Sequence, residues 1–162
     1  MSRAQRWTLQ YKLFDVTPMA RQDYKFSYPL RVRWAEVDRQ GIVFNGHYLT
    51  YFDVGVTEYW RAIGYPYPDG LVQHGTDLYA VKSTVEYHAS AFYDDMLDIC
   101  MRVARIGRSS MQFRPEIYRA DELIASGELV YVNADPVTRK SAPVPEFLRV
   151  AVKNFELIEP TA

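Results

Sequence analysis

The 162-residue chain contains a single cysteine, Cys100. One thiol excludes an intrachain disulfide and any cysteine-clustered zinc site. Long apolar runs are missing as well, and nothing approaches the roughly 20 residues that a membrane helix needs. The first twenty residues carry Arg3, Arg6, Lys12 and Asp15, which leaves no apolar core for a signal peptide. Neither sign of charge is in excess: 19 Lys and Arg stand against 20 Asp and Glu. No global field therefore draws the chain to nucleic acid or to an anionic membrane. Several chemical signatures are absent too: there is no G-x-S-x-G elbow, no P-loop, no G-x-G-x-x-G and no H-E-x-x-H. His47, His74 and His88 lack metal-ligand spacing. These absences predict a cytoplasmic, soluble protein without a metal.

Aromatic residues, by contrast, are plentiful, at 15% with 13 tyrosines. Tyrosine suits half-buried strands and interfaces, where the ring packs and the hydroxyl reaches water. The abundance predicts a sheet with a large exposed or oligomeric face, with an aromatic ligand cage as the alternative. Length and a hydrophobic content of 48% fit one domain with a real core.

Periodicity orders the elements. Trp7, Leu9, Tyr11 and Leu13 alternate with polar residues and suggest a short strand or extended arm. From 25 to 34 the alternation of Phe26, Tyr28, Leu30, Val32 and Trp34 predicts a first solid strand, with Pro29 marking an edge position or a bulge. Asp38-Arg39-Gln40-Gly41 reads as a turn. Tyr48, Tyr51, Phe52, Gly55, Val56, Tyr59, Trp60 and Ile63 then share one helical face. Asn45 is placed to cap this helix, and Gly64 followed by Tyr65-Pro66 to stop it. Gly55 costs about 1 kcal/mol inside a helix, for which close approach to a sheet would compensate.

Beyond a Gly-, Pro- and Asp-rich loop at 65–77 the period becomes two. Val81, Ser83, Val85 and Tyr87 form one alternating set, and Leu97, Ile99, Met101 and Val103 another. Met111, Phe113 and Ile117 mark a further strand, residues 124–132 the last, and 145–155 a short helix or irregular tail. Turns are expected at 106–108 and 119–122. Cys100 falls in a strand and reads as a packing residue. One helix with so broad an apolar face needs a curved sheet around it, which gives an α+β fold. Without βαβ alternation a doubly wound nucleotide fold is excluded.

The segment 34–48 is where chemistry concentrates. A carboxylate at Asp38, four residues past a strand and just before a long helix, would lie near free backbone N–H groups and the positive helix end. A thioester carbonyl aimed at those donors would have its oxyanion stabilised. The carboxylate could activate water or attack the carbonyl carbon. Each residue also has a plainer explanation: Asp38 as turn head, Asn45 as cap, His47 as a partly exposed side chain in the first helical turn.

The run Asp38-x-x-Gly41-Ile42-Val43-x-Asn45-x-x-Tyr48-x-x-Tyr51-Phe52-Asp53 resembles the signature of the hotdog-fold acyl-CoA thioesterases of the 4-hydroxybenzoyl-CoA thioesterase type. Ala91-Phe92-Tyr93-Asp94-Asp95-x-Leu97 is similar to the stretch that leads into that family's third strand. The resemblance spans roughly residues 26–133. It implies a hotdog domain at 25–158, after an extension at 1–24, with a five-stranded antiparallel sheet wrapped around one long helix. It further implies homodimers or homotetramers with active sites at the subunit interface, an acyl-CoA substrate, and no metal or redox cofactor. Asp38 would be nucleophile or general base, and N–H groups from Gly46 through His47 to Tyr48 would polarise the carbonyl. Phe44, Asn45 and Ser90 would contact substrate, and Arg105 and Arg108, around the Gly107 turn, the coenzyme phosphates. Two alternatives stand beside this: a non-catalytic acyl-CoA-binding module, and an acyl carrier protein thioesterase or hydratase-like enzyme using His47.

Overall fold

The structure, a computed structural model, describes residues 19–162; the arm expected at 7–13 lies outside the described residues. Strand β1, Phe26–Arg31, is followed by a 3-10 turn at Trp34–Glu36 and a loop into helix α1, His47–Ala62. A single-turn helix α2, Asp69–Val72, precedes strands β2 (Asp77–Tyr87), β3 (Met96–Ile106), β4 (Ser110–Arg119) and β5 (Glu122–Ala134). Helix α3 occupies Glu146–Phe155. The five strands form one antiparallel sheet in the order β1-β3-β4-β5-β2, and α1 packs across it. This is the α+β hotdog arrangement expected.

Helix α1 buries Tyr48, Tyr51, Phe52, Gly55, Val56, Tyr59 and Trp60, the face that the 3.6-residue period marks out. Gly55 is the point of closest approach: a Cβ there would lie 2.7 Å from Ile99 Cγ2 and 2.9 Å from Met101 Cε. The helix stops as expected, with Gly64 at φ +91° and the Tyr65 N–H donating back to the Trp60 carbonyl at 2.9 Å.

Three expectations need correction. The first strand ends at Arg31, not near Trp34, because Val32 exchanges backbone hydrogen bonds with Asp94 and Asp95 instead of a strand. Pro29 does sit on an edge, since β1 pairs with β3 alone. In β2 the ladder shifts between Ala80 and Lys82, and this bulge turns Val81 outward, 61% exposed. The cap position of α1 is Gly46, not Asn45, and no side chain bonds to it.

Part of the sheet's outer face is covered by the segments around Met19 and Thr161. The Met19 N–H donates to Glu116 Oε1 at 2.9 Å, and Thr161 bridges to Arg105. Cys100 is buried there beside Tyr24 and Tyr118, as a packing residue should be. Burial pushes its thiol up to about 11.

Candidate active site

Asp38 sits in a small hairpin pinned by a bridge between Val37 and Val43. Its N–H donates to the Ile42 carbonyl at 2.9 Å, and its carbonyl accepts the Gly41 N–H at 3.0 Å. Gly41 takes φ +78°, a left-handed geometry that favours glycine. Asp38 Oδ1 accepts the Gln40 N–H at 2.7 Å, leaving the other carboxylate oxygen without a hydrogen bond among the described residues. The turn legible in the sequence is therefore the turn that forms.

What holds this hairpin against α1 is a residue the sequence did not single out. Glu36 is 4% exposed. Its Oε2 accepts the Arg33 N–H at 2.7 Å and the Tyr51 hydroxyl at 2.8 Å, while Oε1 faces the Arg33 guanidinium. Its backbone carbonyl accepts the Phe44 N–H at 2.9 Å. Burial alone would raise the Glu36 carboxyl, but the Arg33 and Tyr51 hydrogen bonds outweigh it and hold the group below its ordinary range.

A cleft of about 150 Å³ brings together Asp38, Asn45, Tyr48, Tyr87 and Ser90. Burial raises the Tyr48 phenol. Its ring meets that of Tyr87 edge-on at 5.3 Å, and the Tyr87 hydroxyl donates to the Asn45 carbonyl at 3.1 Å. Arg119 steadies the far wall, donating to the Ser90 carbonyl at 3.3 Å while paired with Asp95 and Glu122. At the helix start two of the three expected donors are engaged: His47 N–H bonds the Phe44 carbonyl at 2.9 Å and Tyr48 N–H the Asn45 carbonyl at 3.4 Å. The Gly46 N–H has no acceptor among the described residues. The rings of Phe44 and His47 meet edge-on at 5.9 Å and do not line the cleft.

Arg105 and Arg108 lie elsewhere. The cleft adjoins the start of β3, through the Val43 N–H bond to the Ala91 carbonyl, whereas Arg105 is at the strand's other end and Arg108 in the turn beyond. Arg105 borders a polar hollow with Lys82, Gln112 and Glu128 and donates to the Ala162 carbonyl at 2.9 Å. Arg149 of α3 locks the turn, its guanidinium reaching the carbonyls of Ile106, Gly107, Arg108 and Val144. At this same end, between α1 and the first residues of β2, lies a more apolar cavity of about 290 Å³ lined by Val56, Trp60, Leu78 and Tyr131, with Asp53 and Thr57 on its polar side.

One chain thus presents a carboxylate in a cleft shared with Asn45 and Tyr48, at the start of α1 and one end of the sheet, and two arginines with an aromatic cavity at the other. A carboxylate next to a free N–H can activate water, or attack directly, at a carbonyl whose oxygen the N–H receives.

Comparison with known proteins identifies the family and the fold. The family model described as "Thioesterase-like superfamily" matches residues 32–152. The acyl-CoA thioester hydrolase YbgC of Escherichia coli O6:H1 is 29% identical over 130 residues, covering 80% of this chain and 96% of that one. The crystal structure of a protein from Pseudomonas aeruginosa strain PAO1 superposes with a TM-score of 0.74 at 26% identity, covering 84% of this chain and 94% of its own. A 1,4-dihydroxy-2-naphthoyl-CoA thioesterase from Synechocystis shares the fold, with a TM-score of 0.71 at 21% identity over 78% of this chain and 94% of its own.

Proposed function

Because the chain belongs to the thioesterase-like superfamily, we propose that it hydrolyses an acyl-CoA thioester to the free acid and CoA, with Asp38 as its catalytic carboxylate. The observation that carries this reading is the shared cleft of Asp38, Asn45, Tyr48 and Ser90 at the start of α1. The substrate carbonyl oxygen takes the Gly46 N–H, which has no acceptor among the described residues. Asp38 either removes a proton from water as the water adds to the carbonyl carbon, or adds first and is released by water. Collapse of the tetrahedral species breaks the C–S bond, and the sulfur leaves as thiolate to collect the proton. The name of the Escherichia coli relative, a thioester hydrolase for acyl-CoA, supports the substrate class. Against a hydratase-like role for His47, its ring meets that of Phe44 edge-on and does not line the cleft that holds Asp38.

The site draws on two chains. Strand β2 is an eleven-residue edge with a largely exposed face, a surface suited to pairing with a second copy. A two-fold axis makes such pairing antiparallel. The end of β2 beside Asp38 then faces the partner's first β2 residues, with the cavity and the 107–109 turn of that subunit nearby. Arg105 and Arg108 would hold the coenzyme phosphates of the substrate cleaved by the other subunit's Asp38. The cavity, of a size for an aryl or medium aliphatic acyl group, would receive its acyl end.

The test is turnover of a panel of aliphatic and aromatic acyl-CoAs, followed by free thiol, for wild type and Asp38→Ala. The expected result is hydrolysis of at least one substrate and a loss of about 10²-fold or more in the variant. Equal rates for both proteins would sink Asp38 as the catalytic group. Inert proteins that still bind acyl-CoA would leave a binding module in its place.

A further inference from the structure

The Asn45–Gly46 peptide combines a carbonyl that accepts hydrogen bonds with an N–H that has no acceptor among the described residues. It lies at the start of α1, whose cap residue Gly46 has no side chain to bond the free N–H groups of the helix. Among the described residues, the backbone donor to its carbonyl is the Tyr48 N–H, at a long 3.4 Å. The shorter contact comes from Tyr87, whose hydroxyl donates to that carbonyl at 3.1 Å.

We propose that Tyr87 is a positioning residue for the oxyanion donor: by holding the Asn45 carbonyl, its hydroxyl orients and polarises the peptide whose N–H belongs to Gly46. This rests on the thioesterase reading above and deepens it. A trans peptide is planar, with C=O and N–H pointing in opposite directions, so a hydrogen bond that fixes the carbonyl also fixes the N–H. That carbonyl accepts the Tyr48 N–H and so faces the first turn of α1, and the N–H on the opposite side of the peptide faces away from it. A hydrogen bond into the carbonyl also polarises the amide and makes its N–H a stronger donor.

Packing alone does not explain Tyr87. It is the last residue of an edge strand and 55% exposed, yet it lines the cleft that holds Asp38. Its ring is braced edge-on by that of Tyr48, so two tyrosines secure one peptide plane. The nearer donates to it, and the other steadies the nearer while its own N–H shares the same acceptor.

The experiment is a double-mutant cycle on kcat and KM with the best acyl-CoA of the panel. Tyr87→Phe removes the hydroxyl and keeps the ring, and is expected to lower kcat by about 5- to 20-fold with KM changed by no more than about twofold. Gly46→Pro deletes the N–H itself; the φ of −65° suits proline, and the Phe44 ring, whose Cε1 would lie 2.8 Å from the new Cβ, has to shift aside. In the Gly46→Pro background Tyr87→Phe should have no further effect on kcat, because the peptide it orients has no donor left. A structural role would instead give the same loss in both backgrounds.

A second measurement stands if the proline variant does not fold. An acyl-CoA analogue with a trifluoromethyl ketone in place of the thioester forms a tetrahedral adduct with a negative oxygen. Tyr87→Phe should weaken its binding about 5- to 20-fold more than that of the matching thioether, which has no such oxygen. Equal losses for the two ligands, or an unchanged kcat, would overturn the role of Tyr87. If Asp38→Ala hydrolyses as fast as wild type, the thioesterase reading itself falls. If Asp38→Ala loses activity while Tyr87→Phe keeps it, only this inference does.

Discussion

Glu36 stands two residues before Asp38 and does not line the cleft, yet it ties together the three segments that form the site. Its carboxylate is bonded to Arg33 and to Tyr51 of α1, and its carbonyl to Phe44. Tyr51→Phe removes a hydrogen bond to a charged, buried acceptor and is expected to cost about 2 kcal/mol in urea unfolding. The carboxyl is held below its unfolded value, so its stabilisation is complete above that value, about 4.3, and fades as pH falls through the folded one. Glu36→Gln should lower the urea midpoint at neutral pH and flatten its decline as pH falls below the ordinary carboxylate range; a decline as steep as wild type would contradict the assignment. None of this was legible in the sequence, because Tyr51 is fifteen residues away and only folding shows that they meet. Turn chemistry is local, which is why Asp38 and Gly41 could be read directly. The Asn45 cap could not: the Phe44–His47 turn shifts the helix start by one residue, and a cap depends on that single step.

At the scale of elements, helix α1 was the most legible because its apolar face repeats over four turns. Gly55 is where that face meets the sheet. Gly55→Ala would gain about 1 kcal/mol of helix propensity, but its methyl would lie 2.7 Å from Ile99 Cγ2. Ile99 is β-branched and fully buried, with little room to give way. Overpacking of about 1–3 kcal/mol should therefore prevail, and thermal unfolding should show a lower Tm for Gly55→Ala; a higher Tm would mean the sheet yields more readily than its packing implies. Strand β2 was legible in existence but not in facing. Its residues alternate cleanly in sequence, but the one-residue bulge after Ala80 sends Val81 to the outside. A bulge is set by the partner strand, here where Tyr131 and Val130 take up Ala80 and Lys82 in register, and leaves no mark in the alternation itself.

For the whole molecule, the separation of Asp38 from Arg105 and Arg108 by the length of β3 decides how sites are assembled. If each site takes its carboxylate from one subunit and its arginines from the other, two crippled chains can rescue one another. Asp38→Ala and the charge reversal Arg105→Glu/Arg108→Glu should each be inactive alone. Allowed to exchange subunits, they should recover about a quarter of wild-type activity, half of the dimers being mixed and each carrying one intact site. No recovery would mean that each site is complete within one chain and that the two ends of the sheet serve different purposes. Arg149 gives the turn at 107–109 a further property. Backbone carbonyls crowded at a surface turn form a negative rim that would repel a phosphate. Here Ile106, Gly107 and Arg108 all direct theirs inward to the Arg149 guanidinium. Helix α3 thereby discharges the rim from within, and the field that an approaching anion meets at this corner is that of Arg105 and Arg108.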